Sequence, residues 1–165
     1  MIIRDETPDD IPAIRALVAS AFADAPHSDG TEAAIVDALR KAGALSLSLV
    51  AGTDREIFGH VAFSPVLVDG RDVGWYGLGP LAVLSSMRRR GIGASLVGGG
   101  LSRLRARGAK GCVVLGDPAY YDRFGFANDP DLRFAGAPAV YFQRLVFDGA
   151  PPRGAVGYHP AFAAS

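Results

Sequence analysis

The sequence predicts a mixed α/β sheet with helices on both faces, in the element order β-α-α-β-β-β-α-β-α-β. Three observations lead to this prediction. Two segments near the N-terminus have apolar residues at helical spacing, and a series of apolar, strand-like segments follows from residue 45 onward. A further helical segment then separates two of these strands, and strands joined by a helix usually run parallel to each other.

The first part of the chain contains one predicted strand and two predicted helices. The strand spans residues 1–6. The first helix begins after Thr7, a predicted N-cap, and Asp10 completes a weaker capping box. A loop at residues 25–30 leads to the second helix, which is predicted over residues 31–42. The first helix has one apolar face, formed by Ile11, Ile14, Leu17, Val18 and Phe22.

A meander of three strands is predicted next, over residues 45–49, 57–68 and 73–84. The Asp69-Gly70 pair between the last two strands is a common hairpin turn. The helix that follows ends near Gly108 and contains the run Gly98-Gly99-Gly100. Each glycine costs about 1 kcal/mol relative to alanine in a helix interior. We therefore expect this helix to lie very close to the sheet.

The last third of the chain supplies the remaining elements. Residues 111–115 are predicted as a short strand, residues 118–124 as a short helix and residues 139–147 as the final strand. Residues from about 150 to 165 are rich in Ala, Gly and Pro, so we expect a loosely packed tail there. The length suits a single domain over residues 1–165.

The composition argues against several classes of protein. Apolar residues make up 49% and charged residues 21%, as in an ordinary globular protein. Basic and acidic residues balance at 17 each, which argues against general nucleic-acid binding. Cys112 is the only cysteine, so the chain cannot form an internal disulfide. Since there is neither a signal-peptide pattern nor a run of about 18 apolar residues, we expect a cytoplasmic protein without a membrane span.

The clearest functional signal is the run Arg88-Arg89-Arg90-Gly91-Ile92-Gly93-Ala94. It joins a predicted strand to a predicted helix, where backbone N–H groups lack intrahelical partners at the positive end of the helix dipole. Such a turn can hold a phosphate or pyrophosphate, and arginine suits phosphate oxygens. A Walker A loop would need Lys and then Ser or Thr after Gly93, and a dinucleotide fingerprint would need glycine at Leu96. The run therefore predicts an anion site of another kind.

A second motif makes a family resemblance specific. Arg88, Gly91 and Gly93 match an R-x-x-G-x-G turn, and Tyr121, Gly125 and Phe126 match a Y-x-x-x-G-F pattern after the next strand. In this order and spacing the two motifs resemble the GNAT superfamily of N-acetyltransferases. Further segments resemble its YhbS-like branch, so the resemblance covers nearly the whole chain; they are residues 116–126, Gly59-His60, Ser64-Pro65-Val66 and Gly157-Tyr158-His159-Pro160-Ala161-Phe162.

The resemblance implies a fold and a donor. The fold would be a twisted, largely antiparallel sheet of about six to seven strands with splayed central strands. The donor would be acetyl-CoA, with its pyrophosphate on the glycine-spaced turn and its pantetheine amides paired to a strand edge. The cofactor-binding residues that the resemblance implies are Leu81, Ala82, Val83, Arg88, Arg89, Arg90, Gly91, Ile92, Gly93, Ala94, Asp117, Tyr120, Tyr121 and Phe124.

The implied reaction is direct attack of a neutral primary amine on the thioester in a ternary complex. By motif position, Tyr121 is the general acid that protonates the departing CoA sulfur. The general base stays open, because the strand before the turn has no carboxylate; the candidates are His60, Glu32, Asp117 and a relay through water. Cys112 lies in an apolar strand and is expected to be a buried residue and not a nucleophile. The histidines lack paired ligand spacing, so no metal is expected; they are His27, His60 and His159.

Two other functions fit the same fold. The chain could be a non-catalytic acyl-CoA sensor or regulatory module, or it could transfer an acyl group longer than acetyl. The sequence does not identify the acceptor, which is a small-molecule or peptide amine, and its specificity is expected in the loop at residues 25–30 and after Phe126. An edge strand near the C-terminus could pair with a second copy, so a homodimer is one expected oligomeric state.

Overall fold

The computed structural model describes residues 1–23, 25 and 28–164. Within them, four α-helices pack around two β-sheets. The strands are β1 (Ile2–Asp5), β2 (Leu47–Gly52), β3 (Ile57–Pro65), β4 (Leu67–Val68), β5 (Trp75–Val83), β6 (Gly111–Leu115), β7 (Leu132–Arg133), β8 (Phe142–Val146) and β9 (Gly154–Gly157). The helices are α1 (Ile11–Phe22), α2 (Glu32–Lys41), α3 (Ile92–Ala106) and α4 (Pro118–Tyr121), with short 3₁₀ segments at Pro8–Asp10, Ser85–Met87, Asp122–Phe124, Ala139–Tyr141 and Pro160–Ala163.

The larger sheet has six strands in the order β1-β2-β3-β5-β6-β8. Its neighbouring strands are antiparallel except for β5 and β6, which are joined through α3 and run parallel. This confirms the predicted mixed, largely antiparallel sheet and the predicted parallel pair. The Asp69-Gly70 turn is also confirmed, since both residues have positive φ (50° and 77°) and Val68 pairs with Arg71.

Both faces of the larger sheet are covered, because α3 packs on one face and α1 with α2 on the other. All six residues of β2 are therefore buried. The predicted close approach of α3 occurs at Gly100, where a Cβ would lie 2.2 Å from Phe63 Cε1. Gly98 faces open space, so the approach accounts for one glycine of the run and leaves this one without a packing reason.

Two predicted elements differ in the structure. The strand predicted over residues 57–68 is divided after Pro65, because β4 turns away to pair with β9. The predicted loose tail is instead ordered, since β9 lies between β4 and β7 in the smaller, three-stranded sheet. Composition did not indicate this, because the pairing partners are far away in sequence. Part of the predicted loop at residues 25–30, Pro26 and His27, lies outside the described residues.

Candidate active site

The site begins where the two parallel strands of the larger sheet separate. β5 and β6 pair from Trp75↔Gly111 to Leu78↔Val114. β5 then continues to Val83 with only β3 beside it, while β6 keeps β8 as its partner through Leu115. The main chain of Gly79–Val83 therefore presents one edge without a strand partner among the described residues. The implied splay of the central strands is confirmed.

The start of α3 lies directly beyond this edge. Gly91 precedes the helix with a φ of 79°, a conformation that glycine adopts without strain. The first hydrogen bond of α3 runs from Ser95 N to Gly91 O at 3.0 Å. The amides of Ile92, Gly93 and Ala94 therefore have no intrahelical acceptor and point out of the positive end of the helix.

A cavity of about 380 Å³ connects the strand edge with the start of α3. We call it the α3 cleft. It contains ten of the predicted cofactor-binding residues, Tyr120 among them, together with the end of α1. Its lining residues are Ala21, Phe22, Ala25, Leu81, Ala82, Val83, Met87, Arg88, Arg89, Gly91, Ile92, Gly93, Ala94, Tyr120 and Arg123.

The arginines of the turn have different positions. Arg88 donates from Nη2 to Ala21 O at 3.1 Å and from Nε to Val83 O at 3.4 Å, so it links the end of α1 to the end of β5. Arg89 also lines the α3 cleft, with a left-handed φ of 64°. Arg90 is exposed and is not among the residues that line the cleft, so its predicted contact with the cofactor stays a prediction. Arg88 therefore links two elements, Arg89 adds positive charge to the cleft and Arg90 lies on the surface.

Tyr120 and Arg123 form the opposite side of the α3 cleft. The guanidinium of Arg123 lies 4.4 Å from the centre of the Tyr120 ring, and its Nε donates to Tyr120 O at 2.8 Å. A Cβ on Gly93 would lie 2.9 Å from the Tyr120 hydroxyl, so this hydroxyl packs over the start of α3. Sequence reasoning missed Arg123, although its position three residues after Tyr120 on a short helix was a usable signal.

A second cavity of about 670 Å³ opens on the other side of Leu81. We call it the Tyr121 cavity. It shares Phe22 and Leu81 with the α3 cleft, so the two spaces meet at the unpaired edge of β5. Its lining residues are Phe22, Asp29, Thr31, Glu32, Ile35, Leu78, Gly79, Pro80, Leu81, Leu115, Tyr121, Phe134, Gly136, Tyr158 and Phe162. Most of these were not predicted, because they come from distant segments without a local motif.

Tyr121, the last residue of α4, lies in the wall of this cavity. Its ring packs directly on the backbone of Gly116, where a Cβ would come within 2.5 Å. The ring also contacts Tyr120 and Phe126 edge to face, at centroid distances of 5.0 and 5.9 Å. Burial raises the pKa of Tyr121 above its ordinary value, so the phenol stays protonated through neutral pH.

The charged groups described in the Tyr121 cavity are two carboxylates, Asp29 and Glu32. Asp29 accepts hydrogen bonds from the backbone and hydroxyl of Thr31, and these bonds lower the pKa of Asp29. Glu32 accepts a hydrogen bond from Ser28 Oγ at 2.6 Å. Glu32, one of the candidate bases, therefore faces the same space as the predicted general acid.

His60 belongs instead to a polar network within the core. Its Nε2 lies 2.8 Å from Ser48 Oγ, and Ser48 donates its proton to Glu6, which pairs with Arg40 at 2.9 Å. Nε2 must therefore carry a proton, and Nδ1 has no partner among the described residues. Burial lowers the pKa of His60 to about 4. His60 lines neither the α3 cleft nor the Tyr121 cavity, so its predicted role as base is not supported.

Three other candidates also lie outside the two spaces. Asp117 caps α4 by accepting from Ala119 N at 2.9 Å, and Phe124 packs against Tyr120 at 5.7 Å between ring centroids. Their predicted contacts with the cofactor are not supported, because both side chains stabilise the Tyr121 segment. Cys112 is fully buried, and burial raises the pKa of its thiol. Within residues 1–23, 25 and 28–164 no cluster of His, Cys, Asp and Glu could hold a metal ion.

Another cavity of about 640 Å³ shares one aromatic lining residue with the Tyr121 cavity. Phe134 lines both, and the other walls of this cavity come from residues 128–142 and Ala155. The ring of Phe134 packs directly on Gly136, where a Cβ would lie 2.4 Å away.

Comparison with known proteins agrees with the two motifs. Residues 11–126 match the acetyltransferase (GNAT) family. The chain is 41% identical over 169 residues to the protein named uncharacterized N-acetyltransferase YhbS of Escherichia coli (strain K12), and the match covers 98% of each chain. No helix among the described residues is long and apolar enough to cross a membrane.

Two solved structures have the same fold over nearly the whole chain. A GNAT family acetyltransferase from Brucella melitensis, in complex with acetyl-CoA, is 48% identical with a TM-score of 0.88, covering 98% of this chain and 97% of that one. YhbS from Escherichia coli, in complex with CoA, is 40% identical with a TM-score of 0.89, covering 98% and 91%. The chain therefore belongs to the acetyltransferase (GNAT) family, as its two motifs predicted.

Proposed function

We propose that this protein transfers the acetyl group of acetyl-CoA to a primary amine by direct attack in a ternary complex. The observation that carries the proposal is the meeting of the α3 cleft and the Tyr121 cavity at Leu81, beside the unpaired edge of β5. One space suits a donor and the other an acceptor. The complexes of the Brucella melitensis enzyme with acetyl-CoA and of YhbS with CoA support the choice of donor.

The donor would bind mainly to backbone groups. The diphosphate would accept hydrogen bonds from the amides of Ile92, Gly93 and Ala94, with Arg89 and Arg123 supplying positive charge. The pantetheine amides would pair with the free edge near Leu81–Val83, as an added strand does. The thioester would then reach the opening into the Tyr121 cavity. Since residues beyond 126, among them Phe134 and Tyr158, line the Tyr121 cavity, we treat residues 1–165 as one domain.

The proposed reaction forms a C–N bond and breaks a C–S bond. The amine lone pair attacks the thioester carbon, and the tetrahedral intermediate then expels the CoA sulfur. Tyr121 donates its phenolic proton to that sulfur as the bond breaks. The nitrogen loses one proton, and the phenolate, which is a strong base, regains a proton through water. The products are the N-acetyl amine and CoA thiol.

Glu32 is our proposed acceptor of the proton from nitrogen, directly or through one water molecule. It lines the same cavity as Tyr121, whereas Asp117 caps α4 and His60 lies within the core. The hydrogen bond from Ser28 fixes one carboxylate oxygen of Glu32. An amine that arrives as an ammonium ion must be deprotonated before attack, so a carboxylate near its entry suits this role.

Tyr121→Phe tests the mechanism. We expect kcat for thiol release to fall about 100-fold, because general acid catalysis contributes roughly that factor, while the Kd of CoA changes less than about twofold. Tyr141→Phe is a matched control, since Tyr141 is exposed and lines neither space. Full activity of Tyr121→Phe would remove Tyr121 from the mechanism. Binding of acyl-CoA by the wild type without thiol release on any amine would instead favour a sensor.

A further inference from the structure

We propose that the acceptor is an amine carried on an apolar, ring-sized body, with no carboxylate near the amino group. This inference rests on the proposed function and specifies the substrate class for the Tyr121 cavity. It depends on two independent properties of that cavity: a continuous aromatic wall and a one-sided distribution of charge.

The aromatic wall is formed by Phe134, Tyr158 and Phe162, which all line the Tyr121 cavity. Tyr158 meets Phe134 edge to face at 5.0 Å between ring centroids and contacts Phe162 at 5.1 Å. Phe22 and Tyr121 contribute two further rings to the lining. Aromatic side chains bind apolar groups with large contact areas and prefer edge-to-face and offset-stacked geometries. The wall therefore favours a ligand with an apolar body over a small or fully polar amine.

The backbone holds this wall in place. A Cβ on Gly77 would lie 2.7 Å from Tyr158 Cε1, and one on Gly136 would lie 2.4 Å from Phe134 Cζ. Both rings thus pack directly against main chain, so their positions are set before a ligand binds. The hydroxyl of Tyr158 is itself buried, so it lies behind the wall and not on the cavity surface.

The charge of the cavity points to a cation. Its described lining contains Asp29 and Glu32 and neither lysine nor arginine, whereas the α3 cleft contains Arg88, Arg89 and Arg123. Asp29 is held ionised by its hydrogen bonds from Thr31. These two carboxylates attract an ammonium group into the Tyr121 cavity. A carboxylate beside the amino group of a ligand would be repelled by the same two charges. We therefore expect amines without a neighbouring carboxylate to bind more tightly than free amino acids.

Three amines of nearly equal size test this inference. Phenethylamine has the ring and the cation, phenylalanine adds a carboxylate, and phenylalanine amide restores a neutral group of the same size. With acetyl-CoA and wild-type protein, we expect kcat/KM for phenethylamine and for the amide to exceed that for phenylalanine by about tenfold or more, equivalent to about 1.4 kcal/mol. Ethylamine, which lacks the ring, should have a KM at least about tenfold higher than phenethylamine.

Asp29→Lys tests the charge, and Glu56→Lys is the matched control because Glu56 is exposed and lies outside the lining. We expect Asp29→Lys to reduce the preference for phenethylamine over phenylalanine by about tenfold, and Glu56→Lys to leave it unchanged. The wild-type ratio alone keeps the inference falsifiable if the variant does not fold. Equal or better use of phenylalanine by the wild type would overturn the inference and leave the proposed transferase function standing.

Binding separates the inference from the proposed function. Calorimetric titration of the CoA-saturated protein with each amine measures preference without turnover. If no amine releases thiol but phenethylamine still binds more tightly than phenylalanine, the inferred ligand preference of the Tyr121 cavity holds although the transferase proposal fails. If the amines and phenylalanine bind equally, the acceptor inference fails.

Discussion

The α3 cleft and the Tyr121 cavity meet at the same strand edge but are built in different ways. The α3 cleft offers backbone groups from one nearly continuous stretch, Leu81 to Ala94, with arginine charge added. The Tyr121 cavity offers side chains from α1, α2, β5, β6 and the segments around Phe134 and Tyr158. A backbone site can be retained with few fixed residues, whereas a side-chain site changes with each substitution. This difference suits a constant donor and a variable acceptor.

Gly91→Val is the largest expected disruption of the backbone site. Gly91 has a φ of 79°, which a β-branched residue adopts only with strain, so the start of α3 would rearrange and its amides would lose alignment. We expect the Kd of CoA to rise about 100-fold, equivalent to about 3 kcal/mol, in a calorimetric titration.

Gly43→Val is the control for this strain. Gly43 has a φ of 70° and also faces open space, but it follows α2 and lines neither the α3 cleft nor the Tyr121 cavity. We expect Gly43→Val to lower the free energy of unfolding and to leave the Kd of CoA unchanged. If both variants bind CoA like the wild type, the backbone of the turn does not hold the donor.

His60→Gln tests whether the core network stands apart from both spaces. The pKa of His60 is about 4 when folded and 6.5 in its ordinary state, so the unfolded chain binds more protons between these values. The contribution that neutral His60 makes to the free energy of unfolding is complete above pH 6.5 and is lost as pH falls towards 4. The wild type should lose about 2 kcal/mol of unfolding free energy between pH 7 and pH 5 that His60→Gln does not lose.

Two measurements decide this prediction. Urea unfolding at several pH values measures how the free energy of unfolding of each protein changes with pH. An equal change in both proteins would contradict the lowered pKa of His60. The pH profile of kcat/KM gives the second result, in which the acidic limb should have the same midpoint in both proteins. A different midpoint in His60→Gln would show that His60 titrates in the reaction, and the core network would then not be independent of the Tyr121 cavity.

Gly100→Ala and Gly98→Ala give the smallest effects and test how far the α3 cleft depends on side-chain packing. A Cβ at Gly100 would overlap the Phe63 ring, so unfolding free energy should fall by about 1 kcal/mol or more. Gly98 faces open space, so alanine there should stabilise by up to about 1 kcal/mol. CoA affinity should change less than about threefold in both. A large loss of CoA affinity in Gly100→Ala would show that the packing of α3 on the sheet also determines donor binding.

The features that were predictable from sequence are local ones. The turn from Arg88 to Ala94 and the pattern from Tyr121 to Phe126 each lie within a few residues, so their order along the chain identified the family. The parallel pairing of β5 and β6 followed from the helix between them. The positions of the three arginines were not predictable in this way, because an arginine run does not indicate which side chains line a cleft.

The remaining features depend on contacts between distant segments. β9 pairs with β4 and β7, and neither pairing has a local signal in a stretch rich in Ala, Gly and Pro. His60 was a reasonable candidate base from its type, but Ser48 and Glu6, which hold it in the core, are 12 and 54 residues away in sequence. Tyr158 and Phe162 reach the Tyr121 cavity only because the C-terminal segment folds back over the sheet.

Phe134 has a consequence for how this enzyme could acquire new acceptors. Its side chain lines both the Tyr121 cavity, of about 670 Å³, and the neighbouring cavity of about 640 Å³. Exchange of this one residue for a smaller one would enlarge the Tyr121 cavity on the side that faces its neighbour and would admit a bulkier acceptor. Phe134 does not line the α3 cleft, so a single codon could change acceptor selection without altering that cleft.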